Sequence, residues 1–172
     1  PRGVKGIGLQ FATSNRGACH VRGYTIAAEV LSGAVDRLKY EGKAELVKTF
    51  QDLTAALDST GICLFTTFGL GGGDIALLLS TATGFQVGEK EFMQIGERIW
   101  NLERLFNLKA GFSRKDDTLP PRILKEPIKS GPSKGEIEEL DKMLADYYKV
   151  RGWDNDGVPG EGKLKELELV VE

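Results

Sequence analysis

At 172 residues, with 41% hydrophobic and 28% charged side chains, the chain can bury a sizeable core and has the composition of an ordinary globular protein. A formal net charge of -2 gives no electrostatic case for nucleic acid or a membrane surface, and no apolar run approaches the ~20 residues of a membrane span. Two cysteines without a secretory signal argue against a disulfide framework and point to a reducing cytoplasm.

In chain order, Ile7, Leu9, Phe11 and Ala12 predict one or two helical turns before Thr13. A polar loop over 15–23 follows, then helix-like spacing over 24–31 that stops at Ser32-Gly33. From Lys43, apolar residues Leu46, Val47, Phe50, Leu53, Ala56 and Leu57 recur at three- and four-residue steps and predict a helix ending near Ser59-Thr60-Gly61. Residues 62–68 read as a buried apolar stretch. Glycines over 69–73 break the chain, and Asp74 reads as the N-cap of a helix over 75–83. The longest helix is predicted from Glu89 to about Leu108, with Phe92, Ile95, Ile99, Leu102, Leu105 and Phe106 on one face. Residues 111–134, with Pro120, Pro121, Pro127 and Pro132, read as a long ordered surface loop. A helix is expected over 136–150, starting near Ser133 or Gly135 and closed by Gly152. A turn over 154–162 and a short helix over 163–169 complete the chain. Strand-like alternation is nearly absent, so the expected fold class is all-α. Residues 1–172 are read as a single helical domain with the 111–135 proline-rich loop inside it.

Two stretches carry chemistry-bearing residues. In Asp58-Ser59-Thr60-Gly61-Ile62-Cys63 the Asp accepts hydrogen bonds, the Gly lets backbone approach a ligand, and the Cys offers a thiolate to a soft metal or an iron–sulfur cluster. Asn15-Arg16-Gly17-Ala18-Cys19-His20-Val21-Arg22-Gly23 holds the only histidine between two arginines, a company that suggests a nearby anion. Plainer readings exist for each. Cys63 alone reads as a buried core cysteine, Asp58 as a surface carboxylate, and His20 as a solvated or structural histidine. A zinc site from Cys19, His20 and Cys63 fits the usual ligand spacing poorly. The glycine run before Asp74 lacks the Lys-Ser/Thr of a phosphate loop, and Asp154-Asn155-Asp156-Gly157 does not complete a calcium-loop frame. Trp100 and Trp153 read as core or interdomain packing, Cys19 as a packing residue, and the charges over 136–142 as a solvated face.

Together these stretches resemble the tungsten-containing aldehyde ferredoxin oxidoreductase family. Asp-x-x-Gly-(Leu/Ile)-Cys is similar to that family's pterin- and cluster-contacting motif, and Arg-Gly-x-x-His-x-(Lys/Arg)-Gly to its active-site histidine segment. The stretches Gly96-Glu97-Arg98-Ile99-Trp100-Asn101-Leu102-Glu103-Arg104 and Tyr147-Tyr148-Lys149-Val150-Arg151-Gly152-Trp153 fit it too. The resemblance implies the C-terminal portion of a larger enzyme that oxidises an aldehyde to a carboxylic acid. Its cofactors are a tungsten (or molybdenum) bis-pterin and a [4Fe–4S] cluster, and ferredoxin takes the electrons. His20 becomes the proton-handling catalytic residue. Asp58, Gly61 and Ile62 become pterin contacts, and Cys63 a cluster and metal ligand. Arg16 and Arg22 become pterin-side cations, with only positive charge implied at position 22. Two cysteines cannot complete a four-cysteine cluster, and the start at Pro1 reads as mid-protein. The chain alone is therefore expected to be inactive and metal-free, with the N-terminal and middle domains of the same polypeptide as partners and a homo-oligomer admitted. The alternative is a helical scaffold whose site is degenerate.

Overall fold

The computed structural model describes residues 1–169, and among them no strand forms; Trp153 and Pro159 make one isolated bridge. Positions 170–172 of the expected 1–172 span lie outside the described residues. The fold is all-α, as the periodicity predicts. The helices are α1 (Lys5–Ala12), α2 (Lys43–Thr60), α3 (Gly72–Thr83), α4 (Glu89–Lys109), α5 (Pro121–Lys125), α6 (Leu140–Arg151) and α7 (Glu161–Glu166). A π turn at Ala27–Leu31 and 3₁₀ turns at Leu64–Phe68 and Arg114–Asp116 lie between them.

α2 is the central helix, packed against α4, α6 and α1. It approaches α4 closely because Gly96 faces it; a Cβ there would overlap the Asp52 carbonyl. A glycine inside a helix costs about 1 kcal/mol relative to alanine, and here it permits backbone contact between the two longest helices. Leu9, Val47, Trp100, Met143, Leu144 and Tyr147 belong to the main core, and Leu57, Ile75 and Phe92 to a smaller one where α3 meets α2 and α4. The main core also holds a satisfied polar cluster. Fully buried Arg151 donates to Asp52 at 2.5 Å, to Gln51 Oε1 at 2.9 Å and to the Tyr147 hydroxyl at 3.0 Å.

Several expectations need correction. The 62–68 stretch is not buried: Phe65 and Phe68 are 62% and 59% exposed, because an apolar run records what is available for burial, not what covers it. Asp74 is not the N-cap of α3. Gly71 is, and the Asp74 carboxylate, three residues on, accepts from the Gly71 N–H at 2.8 Å. On α4 the buried stripe is Phe92, Gly96, Trp100 and Arg104, while Leu102 and Phe106 face outward. The close contact at Gly96 sets that face. The expected helix over 136–150 begins only at Leu140, since the backbone of 135–138 bonds instead to Ile123 and Ile128. The helix expected over 24–31 shrinks to the π turn, and α7 starts at Glu161. The 111–135 segment contains α5 and a 3₁₀ turn, with Asp117 and Leu119 buried.

Nor are residues 136–142 a plain solvated face, for Glu138 is buried against Gly8 of α1, and neither carboxylate oxygen has a hydrogen-bond partner. Burial pushes its carboxyl up to about 8, against the Lys5 amino group and with help from Glu29 and Glu139. The folded chain therefore holds this proton more tightly than the unfolded chain. Its stabilising effect is complete below the ordinary glutamate pKa of ~4.3 and is lost as pH rises through about 8. Glu138→Gln should flatten the fall in stability between about pH 5 and pH 8 and be the more stable protein at about pH 9. Urea denaturation across that range checks this; an unchanged slope in the variant contradicts it.

Candidate functional site

The site forms where α2 ends. After Thr60 the chain reverses through Gly61 at φ 76°, whose N–H reaches the Asp58 carbonyl at 3.3 Å. A Cβ at Gly61 would meet open space, so conformation alone favours glycine there. The Ile62 N–H donates to Thr60 Oγ1 at 3.2 Å. Cys63 is extended and precedes the 3₁₀ turn, its carbonyl accepting from the Thr66 N–H at 3.0 Å. Its thiol is free and exposed. Asp58 and Cys63 thus stand on either side of one turn of chain.

The His20 loop leaves α1 and is held through its backbone. The buried Gln10 side chain donates to the carbonyls of Cys19 at 2.7 Å and His20 at 3.0 Å, and its Oε1 accepts from the Thr25 N–H at 3.3 Å. Asn15 Nδ2 donates to the Trp100 carbonyl at 3.0 Å, and Asn107 Nδ2 to the Asn15 carbonyl at 2.7 Å. His20 itself is exposed. So is Arg16, which donates to Cys19 Sγ at 3.5 Å and lines a cavity of about 490 Å³ with Phe11, Asn107 and Phe112. Burial raises the Cys19 thiol, but the Arg16 hydrogen bond and the Val21 and Arg22 amides outweigh it and leave the thiol below its usual value.

Arg22 joins the two stretches. Its guanidinium, nearly buried, donates from Nη1 to Asp58 Oδ2 at 3.0 Å and from Nη2 to the two Glu103 oxygens at 2.7 and 2.5 Å. It lies 5.3 Å from the centre of the Trp100 ring. Next to it, Tyr24 meets Phe68 edge to face at 6.0 Å. The anions beside Arg22 here are the protein's own carboxylates, Asp58 and Glu103. The fork lets one side chain bind the two carboxylates through separate nitrogens. Asp58, at the negative end of α2, needs such a cation. Its side chain remains 41% exposed, and Oδ1 has no partner among the described residues.

Among the described residues no three or more His, Cys, Asp or Glu side chains gather as a metal-ligand set, so Cys63 stands as a single soft donor. Gln10 and Glu103 support the site although the sequence assigns neither a role there, and so does Trp100, which the sequence reads as core or interdomain packing. Glu103 was within reach, since it lies three residues after Trp100 and so shares its face of α4.

Comparison with known proteins now adds to this geometry. The sequence model described as aldehyde ferredoxin oxidoreductase, domains 2 and 3, matches residues 1–169. The chain is 50% identical over 98% of its length to the tungsten-containing aldehyde ferredoxin oxidoreductase of Pyrococcus abyssi, and 30% identical over 96% to an aliphatic sulfonate oxidoreductase, WOR-like subunit, of Pyrococcus furiosus. It spans only 28% and 29% of those relatives. Among solved structures it is similar to the active-site complex BamBC of benzoyl coenzyme A reductase in complex with 1,5-dienoyl-CoA. That likeness has a TM-score of 0.63 over 78% of this chain and 20% of the other, at 20% identity, and it speaks to the fold alone.

The Gln10 contacts predict the loop's behaviour. Gln10→Leu leaves the Cys19 and His20 carbonyls without their donor, a loss on the order of 1–3 kcal/mol. Amide exchange over 19–25 should accelerate by about tenfold or more, measured by mass spectrometry. Unchanged protection would show that the loop is held by other contacts.

Proposed function

The chain belongs to the aldehyde ferredoxin oxidoreductase family, and from that premise we propose that it is the C-terminal domain of a tungstopterin enzyme oxidising an aldehyde to a carboxylic acid, with ferredoxin as electron acceptor. In this reading the described residues 1–169 of the expected 1–172 span form one helical domain, and 111–135 its surface segment. The observation that carries the proposal is an exposed Asp58 side chain with Oδ1 unpartnered and an exposed Cys63 thiol on one turn of chain, with the His20 loop tied beside it through Arg22.

The residues present fit the implied groups. Asp58, with one oxygen unpartnered, suits the N–H donors of a pterin ring, and the open space at Gly61 lets that ring approach the Gly61–Ile62 backbone. Exposed Arg16 is a cation for the cofactor's phosphate. Cys63 would give one thiolate to the [4Fe–4S] cluster, the other ligands coming from outside this chain. When bound, the tungsten or molybdenum bis-pterin and the cluster supply the two-electron oxidation and its division into single electrons. His20 holds or moves a proton at its imidazole nitrogens. Asp58 fixes orientation, and Arg22 keeps that carboxylate in place.

The surface supports a larger assembly. Asp74 is the single charged residue between positions 59 and 88, yet Phe65, Phe68, Leu77 and Phe85 of that stretch are exposed. Such an apolar, nearly neutral face suits burial against the remaining polypeptide. The isolated chain should then be inactive and hold no stoichiometric metal.

The test is metal analysis of the complete polypeptide, purified without oxygen. About four iron atoms and one tungsten or molybdenum per chain are expected, with iron lost in Cys63→Ala. Full iron retained in that variant would overturn the role given to Cys63.

A further inference from the structure

We propose that Glu103 is a positioning residue of this site, acting through Arg22 on the Asp58 carboxylate. The inference rests on the reading that Asp58 meets the pterin, and it assigns the part of the protein that sets how Asp58 meets it.

Asp58 lies on the last turn of α2, where its charge faces the helix's own negative end, and its side chain is 41% exposed. Alone it would have several rotamers available. Arg22 fixes one oxygen at 3.0 Å and leaves Oδ1 for a ligand. The guanidinium is a planar fork, so whatever grips its far nitrogen sets the direction of the near one. That grip is Glu103, both of whose oxygens accept from Nη2 at 2.7 and 2.5 Å. The Trp100 ring restrains the plane from 5.3 Å. Arg22 Nε is buried without a partner, so the two carboxylates rather than a full set of hydrogen bonds orient the group. Glu103 is held in turn by Asn15 Nδ2 at 3.5 Å, the same amide that reaches the Trp100 carbonyl at 3.0 Å. One line of contacts therefore runs from the base of the His20 loop, across α4, to the end of α2.

Glu103→Gln keeps the shape but removes the charge that balances Arg22. Arg22→Lys keeps the charge but loses the planar fork and its stacking against Trp100. In the complete enzyme each should weaken pterin retention by roughly 10–100-fold, the usual effect of losing a partner behind a ligand-contacting group. Retention is read as pterin remaining per chain after gel filtration, by fluorescence of the oxidised pterin. Circular dichroism establishes that the variants are folded, and Glu103→Asp should recover part of the loss. A double-mutant cycle separates positioning from general stability. If Glu103 acts through Asp58, Glu103→Gln adds little to Asp58→Asn. Additive losses, or a Glu103→Gln protein that retains pterin like the parent, overturn the inference and leave the function proposed for Asp58 standing. Parental retention in Asp58→Asn would instead overturn the pterin contact itself, and the positioning role with it.

Discussion

Trp100 accepts two guanidinium groups, Arg22 and Arg151, each 5.3 Å from its ring centre, and the site depends on that shared indole. A cation beside an aromatic ring contributes about 0.5–2 kcal/mol, more when water is excluded. The geometric consequence is larger. Arg151 belongs to the polar centre of the core with Asp52, Gln51 and Tyr147, and Tyr147 also accepts from the indole N–H at 3.1 Å. Arg22 belongs to the site. One buried ring thus ties the placement of Asp58 to the packing of α2, α4 and α6. Removing one member of a buried pair such as Asp52–Arg151 costs about 3–5 kcal/mol by leaving a charge uncompensated, so this part of the molecule has little freedom to adjust.

The glycine at position 96 makes that arrangement reachable. Because it brings α4 onto the backbone of α2 at Asp52, Trp100 and Glu103, one and two turns further on, lie near the end of α2 and the Arg22 loop. The chemistry-bearing residues then fall at the edge of a rigid core. Asp58, Cys63, His20 and Arg16 are exposed there, and the surface next to Cys63 is apolar and almost uncharged. A site built this way suits a chain that supplies one wall while other parts of a longer polypeptide supply the rest.

Much of this was legible in the sequence, and the failures have physical reasons. Apolar periodicity located α2 and α4 well, because both are long and half-buried. It misjudged the packed face of α4, since Gly96 counts for nothing in a hydrophobic pattern yet controls the approach. The Asp58-to-Cys63 stretch and the His20 loop stood out, but residue types do not show who partners whom. Arginines flanking a histidine suggest a nearby anion, and beside Arg22 stand Asp58 and Glu103, the latter more than eighty positions away in sequence. Glu138 looked like one charge among several on a solvated face. Its burial follows from the backbone pairing of 135–138 with Ile123 and Ile128, a long-range event that no local pattern reports.

The measurement that bears most directly on the central claim is anomalous scattering at the iron edge from crystals of the complete, anaerobically purified polypeptide. The account predicts an iron peak bonded to Cys63 Sγ, with Arg22 still bridging Asp58 and Glu103 and Asp58 Oδ1 turned toward the pterin. Iron bound elsewhere with Cys63 free, or Arg22 swung onto a cofactor anion with Asp58 released, would contradict it.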